Sequence, residues 1–453
     1  MARRLAAVAE KVDGRLVGAD AGFGVVSTDT RTLPAGALYV AIRGERFDGN
    51  DFVDAAAERG AAGALVSRLQ QTDLPQIEVE DTRRAFGTMA HAWRRNFSIP
   101  VVAVTGSAGK TTVRELTAAI LGQSRKLCVT QGNLNNDVGV PLSLMRMEAD
   151  DEALVVELGA NHAGEILNLG QLVEPTVAII TNAGAAHLEG FGSVEGVARA
   201  KGELIDCLAG DGIAVLNADD RFFDEWCKRA GQRRVISFGL APEADVRLLG
   251  EPTIVDGVSR FSLSLPDGSS LDVMLPLLGR ANISNALAAT AAATAAGATG
   301  IDVTAGLAGV EPVRGRMQRR PGRNGSMLID DSYNANPSAA RAALEFLDSC
   351  SGQRVFVLGD MLELGTDAAS LHAEIGDYSR GRCDRLVTVG ELAAEAAAAF
   401  GPASAVCADI EQAEAAIVPL LAPDVTVLIK ASRSIGLDRL VSLLAEPAEG
   451  EPC

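Results

Sequence analysis

Residues 101–112 read VVAVTGSAGKTT: five apolar or β-branched residues, a loop bracketed by glycines, then the start of a helical pattern. A strand running through a short loop straight into a helix commits its surroundings to a layered α/β fold. Such a strand lies inside a sheet that the helix covers. Gly106 and Gly109 let backbone N–H groups close around an anion, and the helix N-terminus adds partial positive charge. Lys110 stands where it reaches outer phosphates, and Thr111 where its hydroxyl binds Mg²⁺. The loop departs from G-x-x-x-x-G-K-[ST] only in carrying Val104 in place of the first glycine. Thr105, Gly106, Ser107, Ala108, Gly109, Lys110, Thr111 and Thr112 are therefore read as a nucleoside-triphosphate loop. The bland alternative is a strand–turn–helix that happens to carry Lys-Thr.

The rest of the chain repeats the alternation. Ala37–Ile42, Ala64–Ser67 and Gln76–Val79 read as short strands, and a helical pattern from Thr82 to Asn96 leads to Ser98-Ile99-Pro100. Beyond it, Leu154–Leu158, Val177–Thr181, Ile213–Leu216 and Val235–Phe238 are apolar β-branched runs separated by helical stretches, which implies a parallel sheet covered on both faces. The alternating residues around Pro266-Asp267-Gly268 read as a β-hairpin, and Asn282–Gly297 as an Ala-rich packed helix. Glu311-Pro312 opens another α/β unit with strands at Met327–Asp330, Arg354–Leu358, Arg385–Val389 and Val425–Ile429. The expectation is an α/β protein of three domains: residues 1–98, a central phosphate-loop ATPase with a parallel sheet over 99–312, and a C-terminal Rossmann-like domain over 313–453. Hinges are expected near Pro100 and Pro312.

A formal net charge of −18 argues against non-specific contact with nucleic acid or anionic membranes, and leaves local basic pockets for anionic ligands. Seven scattered cysteines with no C-x-x-C pair fit neither a disulfide framework nor a zinc cluster. No run of about 18 apolar residues predicts a membrane span. A cytoplasmic monomer with small-molecule partners is expected.

Several constellations carry chemistry. Leu154-Val155-Val156-Glu157 ends an apolar strand in a carboxylate, the place from which phosphate-loop proteins hold Mg²⁺. His187 follows another strand end, where it is either a ligand or satisfied by a carbonyl. Lys201 lies in a helix and, from its local sequence, reads as a solvated lysine. Arg314, Arg316, Arg319, Arg320 and Arg323 cluster at the second boundary; without interleaved aromatics they suit phosphate better than nucleic acid. Asp330-Asp331-Ser332-Tyr333-Asn334-Ala335-Asn336-Pro337 joins a strand end to a helix start, where α/β sheets bind ligands, or merely caps that helix.

Taken in order, the chain resembles the Mur ligase family from Ser27 to about Leu440. The carriers are TDTRTLPAGALYVAIRGERFDG from Thr28, TGSAGKTT from Thr105, GNLNNDVGVP from Gly132 and ELGANHAGEI from Glu157. AAHLEGFGSVEGVARAKGE from Ala185, GRANISNALAA from Gly279, VRGRM from Val313, DDSYNANP from Asp330, VLGDMLELG from Val357 and KASRS from Lys430 complete them. Thr30 stands where the family more often has Ser, and the hydroxyl is retained. The resemblance implies an ATP-dependent amide-bond ligase of peptidoglycan precursors, with UDP-MurNAc-tripeptide and D-Ala-D-Ala as partners and Mg²⁺ as cofactor.

By position, the resemblance makes Lys110, Glu157, His187, Lys201 and Arg316 catalytic, and Thr111, Glu157, His187 and a carbamylated Lys201 metal-binding. It places Asn282 and Asn285 near adenine, Asp331 on ribose and Arg316 on the γ-phosphate. Ser27, Asp29, Thr30, Arg31, Asn133, Asn135 and Asn136 would face the nucleotide sugar, and Tyr333, Asn334 and Asn336 the dipeptide. Lys430 and Arg433 would meet phosphate or a substrate carboxylate on domain closure. Rival readings are a sister or folate-type ligase, against which GNLNN and DDSYNANP weigh; a transport ATPase, which would need an L-S-G-G-Q-like motif that the sequence lacks; and a phosphate-loop switch, which would not need Ser27–Arg31.

Overall fold

The computed structural model describes residues 3–255 and 257–446, so Cys453 lies outside the described residues. Three sheets follow one another along the chain. The first has the order Arg15–Val17, Gln76–Glu78, Gly63–Val66, Leu38–Val40, Val26–Ser27, antiparallel only at its first pairing.

The central sheet is nine-stranded, with Val101–Thr105 between Ala153–Glu157 and Val177–Ile180. Its strands alternate strictly: Val101 and Ala103 face one apolar cluster, Val102 and Val104 the other. That two-sided burial is why these segments read as continuous apolar runs. Helices Glu165–Val173 and Val194–Asp206 cover one face, Lys110–Leu121 and Arg280–Ala295 the other. The expected parallel sheet turns out to be mixed. Val246–Val255 pairs in parallel with Arg234–Gly239 at its start, then antiparallel with Val258–Ser264, which pairs with Ser270–Leu275. The expected hairpin is thus the outer part of a three-stranded extension.

The N-terminal unit shares its core with the central one. Leu5, Leu38, Val40, Leu65 and Ile77 belong to the same buried cluster as Phe86, Val101, Ile166 and Trp226. Helix Thr82–Arg94 buries one face there, and Arg94 donates to the carbonyls of Val173 at 2.9 Å and Glu174 at 3.3 Å. A hinge at Pro100 would have to break that cluster. The C-terminal sheet has the order Gln318–Pro321, Met327–Asp331, Val425–Lys430, Gln353–Gly359, Arg385–Val389, Ser404–Cys407, with an apolar cluster on each side. Gln318–Pro321 pairs antiparallel, so Arg319 and Arg320 of the basic cluster are edge-strand residues. Asp331 and Lys430 are register partners at the carboxyl ends of parallel strands.

Candidate active site

The loop after Val101–Thr105 requires glycine at two points. Gly106 (φ 147°) has no room for a Cβ beside the Thr181 hydroxyl, and Gly109 (φ 83°) caps helix Lys110–Leu121 against the Asn285 side chain. Asn182, which the sequence did not single out, braces the loop: its Oδ1 accepts from Ala108 N at 2.9 Å and its Nδ2 donates to Ala108 O at 3.2 Å. Thr105 donates its hydroxyl to Leu158 O at 2.9 Å, which commits that hydroxyl to tying two strands together. Ser107 Oγ accepts from Gly184 N at 3.0 Å. Lys110 Nζ curls back onto Gly106 O at 2.6 Å. Burial holds its pKa below the ordinary lysine value; Glu157 opposes that shift and Arg316 adds to it.

Glu157, 2% exposed, is the hub of the site. Its Oε2 accepts from the Thr111 hydroxyl at 2.9 Å and from Arg114 Nη1 at 3.3 Å, and its Oε1 accepts from Asn135 Nδ2 at 2.8 Å. Arg114, buried like its partner, also donates to Gly132 O at 2.8 Å. A buried carboxylate needs such compensation. The sequence reading missed Arg114. Its signal was spacing: three residues after Thr111 it lies on the same helix face, pointing inward. Asn135 is thereby held on Glu157, while Asn136 Oδ1 accepts from Val138 N and Gly139 N and turns the chain into helix Gly139–Met145. Asn133 is exposed.

The C-terminal unit completes the site. Arg316 Nη2 donates to the Thr111 hydroxyl at 2.9 Å, and its guanidinium lies 4.3 Å from the centroid of the Tyr333 ring. The Arg433 guanidinium lies 5.5 Å from the same centroid. Lys430 Nζ pairs with Asp331 Oδ2 at 2.5 Å and donates to Asn334 O at 3.0 Å, while Asp331 Oδ1 accepts from Met317 N at 3.2 Å. Asn336 caps helix Pro337–Asp348 by accepting from Ala339 N at 2.8 Å, whereas Asn334 is exposed. Between the units lies a cleft of about 270 Å³, lined by Ser107–Thr112, Asn282, Asn285, Arg316, Asp331, Tyr333, Asn334, Asn336 and Lys430. Asn282 donates to Leu278 O at 2.8 Å and accepts from Asn285 Nδ2 at 2.9 Å, so the two amides form one polar wall.

Other predicted residues lie off this cleft. His187 (φ 53°) directs Nδ1 at the Glu363 carboxylate of the C-terminal unit, which holds that carboxyl below the usual range. Lys201 is 1% exposed, the reverse of the solvated lysine that its local sequence suggests. Its Nζ lies 3.4 Å from Ala160 O and 5.1 Å from the Phe191 ring centroid, and desolvation brings its pKa down to about 7. Ser27 ends the edge strand of the first sheet, and Asp29, Thr30 and Arg31 lie in the turn that follows it. There Ser27 Oγ accepts from Asp29 N at 3.2 Å and Arg31 pairs with Asp29 at 2.7 Å.

The Thr111 hydroxyl and Glu157 carboxylate, side by side at the end of a phosphate loop, are oxygen donors of the kind that would hold Mg²⁺. Among the described residues no group of three or more His, Cys, Asp and Glu converges, so His187 and Glu157 do not form a ready-made metal cage. No helix of the described residues is long and apolar enough to cross a membrane.

This architecture is shared with known proteins. Residues 23–94 match the Mur ligase family catalytic domain, 104–293 the Mur ligase middle domain, and 315–433 the Mur ligase glutamate ligase domain. The UDP-N-acetylmuramoyl-tripeptide–D-alanyl-D-alanine ligase of Escherichia coli (strain K12) is 43% identical over 98% of both chains. The crystal structure of MurF from Acinetobacter baumannii superposes with a TM-score of 0.90 at 32% identity, over 96% of this chain and 97% of that one. The MurF ligase of Thermotoga maritima in complex with ADP gives 0.83 at 28% identity, over 92% and 96%. With full-length identity of this order and all three domains matched in sequence, the chain belongs to the Mur ligase family.

Proposed function

We propose that this protein joins D-alanyl-D-alanine to UDP-N-acetylmuramoyl-tripeptide at the expense of ATP, forming the pentapeptide precursor of peptidoglycan, as a cytoplasmic monomer. The observation that carries this reading is the cleft in which the phosphate loop faces Arg316, Asp331 and Tyr333 of a second unit. A generic ATPase has no need of an amine-receiving face opposite its phosphates. The near full-length relatives whose names state this reaction support the choice of substrates.

A carboxylate is a poor electrophile, so it is activated first. The tripeptide carboxylate oxygen attacks the γ-phosphorus, the bond to ADP breaks, and an acyl phosphate results. Lys110 and Arg316 neutralise the charge spread over the phosphoryl oxygens. The amine of the dipeptide then adds to the acyl carbon, loses a proton, and inorganic phosphate departs. Asn334 and Tyr333 receive the dipeptide; Asn282 and Asn285 receive adenine, and Asp331, fixed by Lys430, receives ribose. Contact between the units excludes water, which would otherwise hydrolyse the acyl phosphate.

Thr111 and Glu157 would hold Mg²⁺, which would supply neutralisation of phosphate charge, and His187 would be free to join them only when not paired with Glu363. Lys201 is held neutral enough for its amine to add CO₂. A nitrogen–carbon bond forms, a proton leaves to solvent, and the product is a carbamate anion. Phosphate release from ATP with UDP-MurNAc-tripeptide is expected to depend on D-Ala-D-Ala; release without any acceptor refutes the ligase reading. A carbamate carbon signal after incubation with ¹³C-bicarbonate tests Lys201, and near-normal turnover of Lys201→Ala in CO₂-depleted buffer refutes its role.

A further inference from the structure

The turn from His187 to Phe191 is held from two sides. On the central unit, His187 adopts a left-handed backbone and caps the short helix Leu188–Phe191, whose last ring stands over Lys201 Nζ. On the C-terminal unit, Glu363 also adopts a left-handed backbone (φ 63°) and presents its carboxylate to His187 Nδ1. Glu189 N approaches Glu363 O at 3.5 Å, and Gly365 lies against the Glu189 backbone. The Glu363 loop is itself braced: Met361 N donates to His372 Nε2 at 2.9 Å and Leu362 N to Ser432 Oγ at 2.9 Å. That second bond ties it to the Lys430–Arg433 segment. Phe191 also lines an open groove together with Ala163, Ala200 and Arg229, while Lys201 does not reach that groove.

We infer that Glu363 is a positioning residue: through His187 it holds the Phe191 ring as a roof over Lys201, so that docking of the C-terminal unit governs access to the lysine amine. The roof leaves Lys201 dry and out of reach of the groove when the two units are together. When they part, the His187–Phe191 turn loses its outer support and the amine meets small solutes such as CO₂. The inference builds on the reading of Lys201 as a group that works in the reaction, yet the roof is measurable whether or not a carbamate forms.

Cyanate is the probe. The neutral amine attacks the carbon of HNCO, a nitrogen–carbon bond forms, the proton passes to the former cyanate nitrogen, and a stable urea results. The rate at Lys201 in the full-length, nucleotide-free protein is read by peptide mass spectrometry against exposed Lys228. The Glu363 side chain is 54% and the His187 side chain 23% exposed, so the pair is a modest one, and Glu363→Ala should raise the Lys201 rate roughly two- to fivefold. Glu363→Gln, which keeps an acceptor, should return it towards the parental rate. Phe191→Ala removes the ring and should raise the rate further, and adding Glu363→Ala to it should change nothing more. An unchanged Lys201 rate in Glu363→Ala overturns the inference, as does an undiminished effect in the Phe191→Ala background. Absence of a ¹³C-carbamate signal alongside the expected cyanate pattern would count against the carbamate alone and leave the roof standing.

Discussion

Replacing Lys201 by Met is expected to stabilise the protein while abolishing its turnover, and the pH dependence of that gain is the test. Burial takes the Lys201 pKa from 10.5 to about 7, and the side chain is 1% exposed, so solvent does not screen the shift away. The folded-state value lies below the unfolded one. Below pH 7 both states carry the proton and the folded state bears the whole penalty. Between about 7 and 10.5 only the unfolded state retains it, so parental stability rises with pH there. At 1.36 kcal/mol per pKa unit the penalty is about 4 kcal/mol at pH 7 and about 2 kcal/mol at pH 9, and it fades near pH 10.5. Met fills nearly the same volume without an ionisable group, so Lys201→Met should exceed the parent by these amounts.

The assay is guanidinium unfolding in CO₂-free buffer from pH 7 to 9.5, followed by Trp226. Its Nε1 donates to Ala198 O at 3.0 Å on the helix that carries Lys201. A Trp93→Phe background leaves Trp226 as the one tryptophan, since the chain has 2. Added bicarbonate should stabilise the parent and leave Lys201→Met unmoved. A gain that stays constant across the pH range, or a Met variant weaker than the parent at pH 7, would refute the reasoning.

Three further outcomes are expected. Arg114→Leu leaves Glu157 buried without its cation and should cost roughly 3–5 kcal/mol in denaturant unfolding, with much of the loss recovered in Arg114→Leu/Glu157→Gln; equal stability of single variant and parent would contradict the hub. Asn334→Ala should raise the apparent KM for D-Ala-D-Ala more than that for ATP, and equal effects would sink its placement. Asn336→Ala should instead lose a helix cap worth about 1 kcal/mol with less effect on that KM, as thermal unfolding beside kinetics would show. Gly106→Ala would put a methyl where the Thr181 hydroxyl sits and should abolish ATP binding in calorimetry; retained binding would mean that the loop moves freely.

The fold was legible wherever burial on both faces left a continuous apolar run, as in Val101–Thr105 and Val177–Ile180. It was less so at Val246–Val255, where one strand changes partner along its length and no local pattern marks the change. The phosphate loop could be read because its chemistry is local: glycines, lysine and hydroxyl sit within eight residues. Arg114, Asn182 and Glu363 escaped because their roles depend on partners 43, 74 and 176 residues away, which single-sequence spacing does not reveal. Lys201 was selected by resemblance and not by its surroundings in sequence, which describe a surface helix. Burial beside Phe191 and Ala160, with the Lys110 charge nearby, is what depresses its pKa, and none of that is written in its local sequence.

The shared core of the first two units has a further consequence. If Ser27–Arg31 holds the nucleotide sugar and Lys110 the phosphates, the span between them is set by the packed side chains that join the first sheet to the strand leading into the phosphate loop. The peptide arm of the substrate is then measured against a fixed ruler. An arm one residue shorter would leave its terminal carboxylate about 3.5 Å short of the γ-phosphate, and one residue longer would overshoot by the same amount. Selection for peptide length thus needs no pocket that recognises the omitted residue. It follows from the rigidity of a block that a flexible joint at Pro100 would have destroyed.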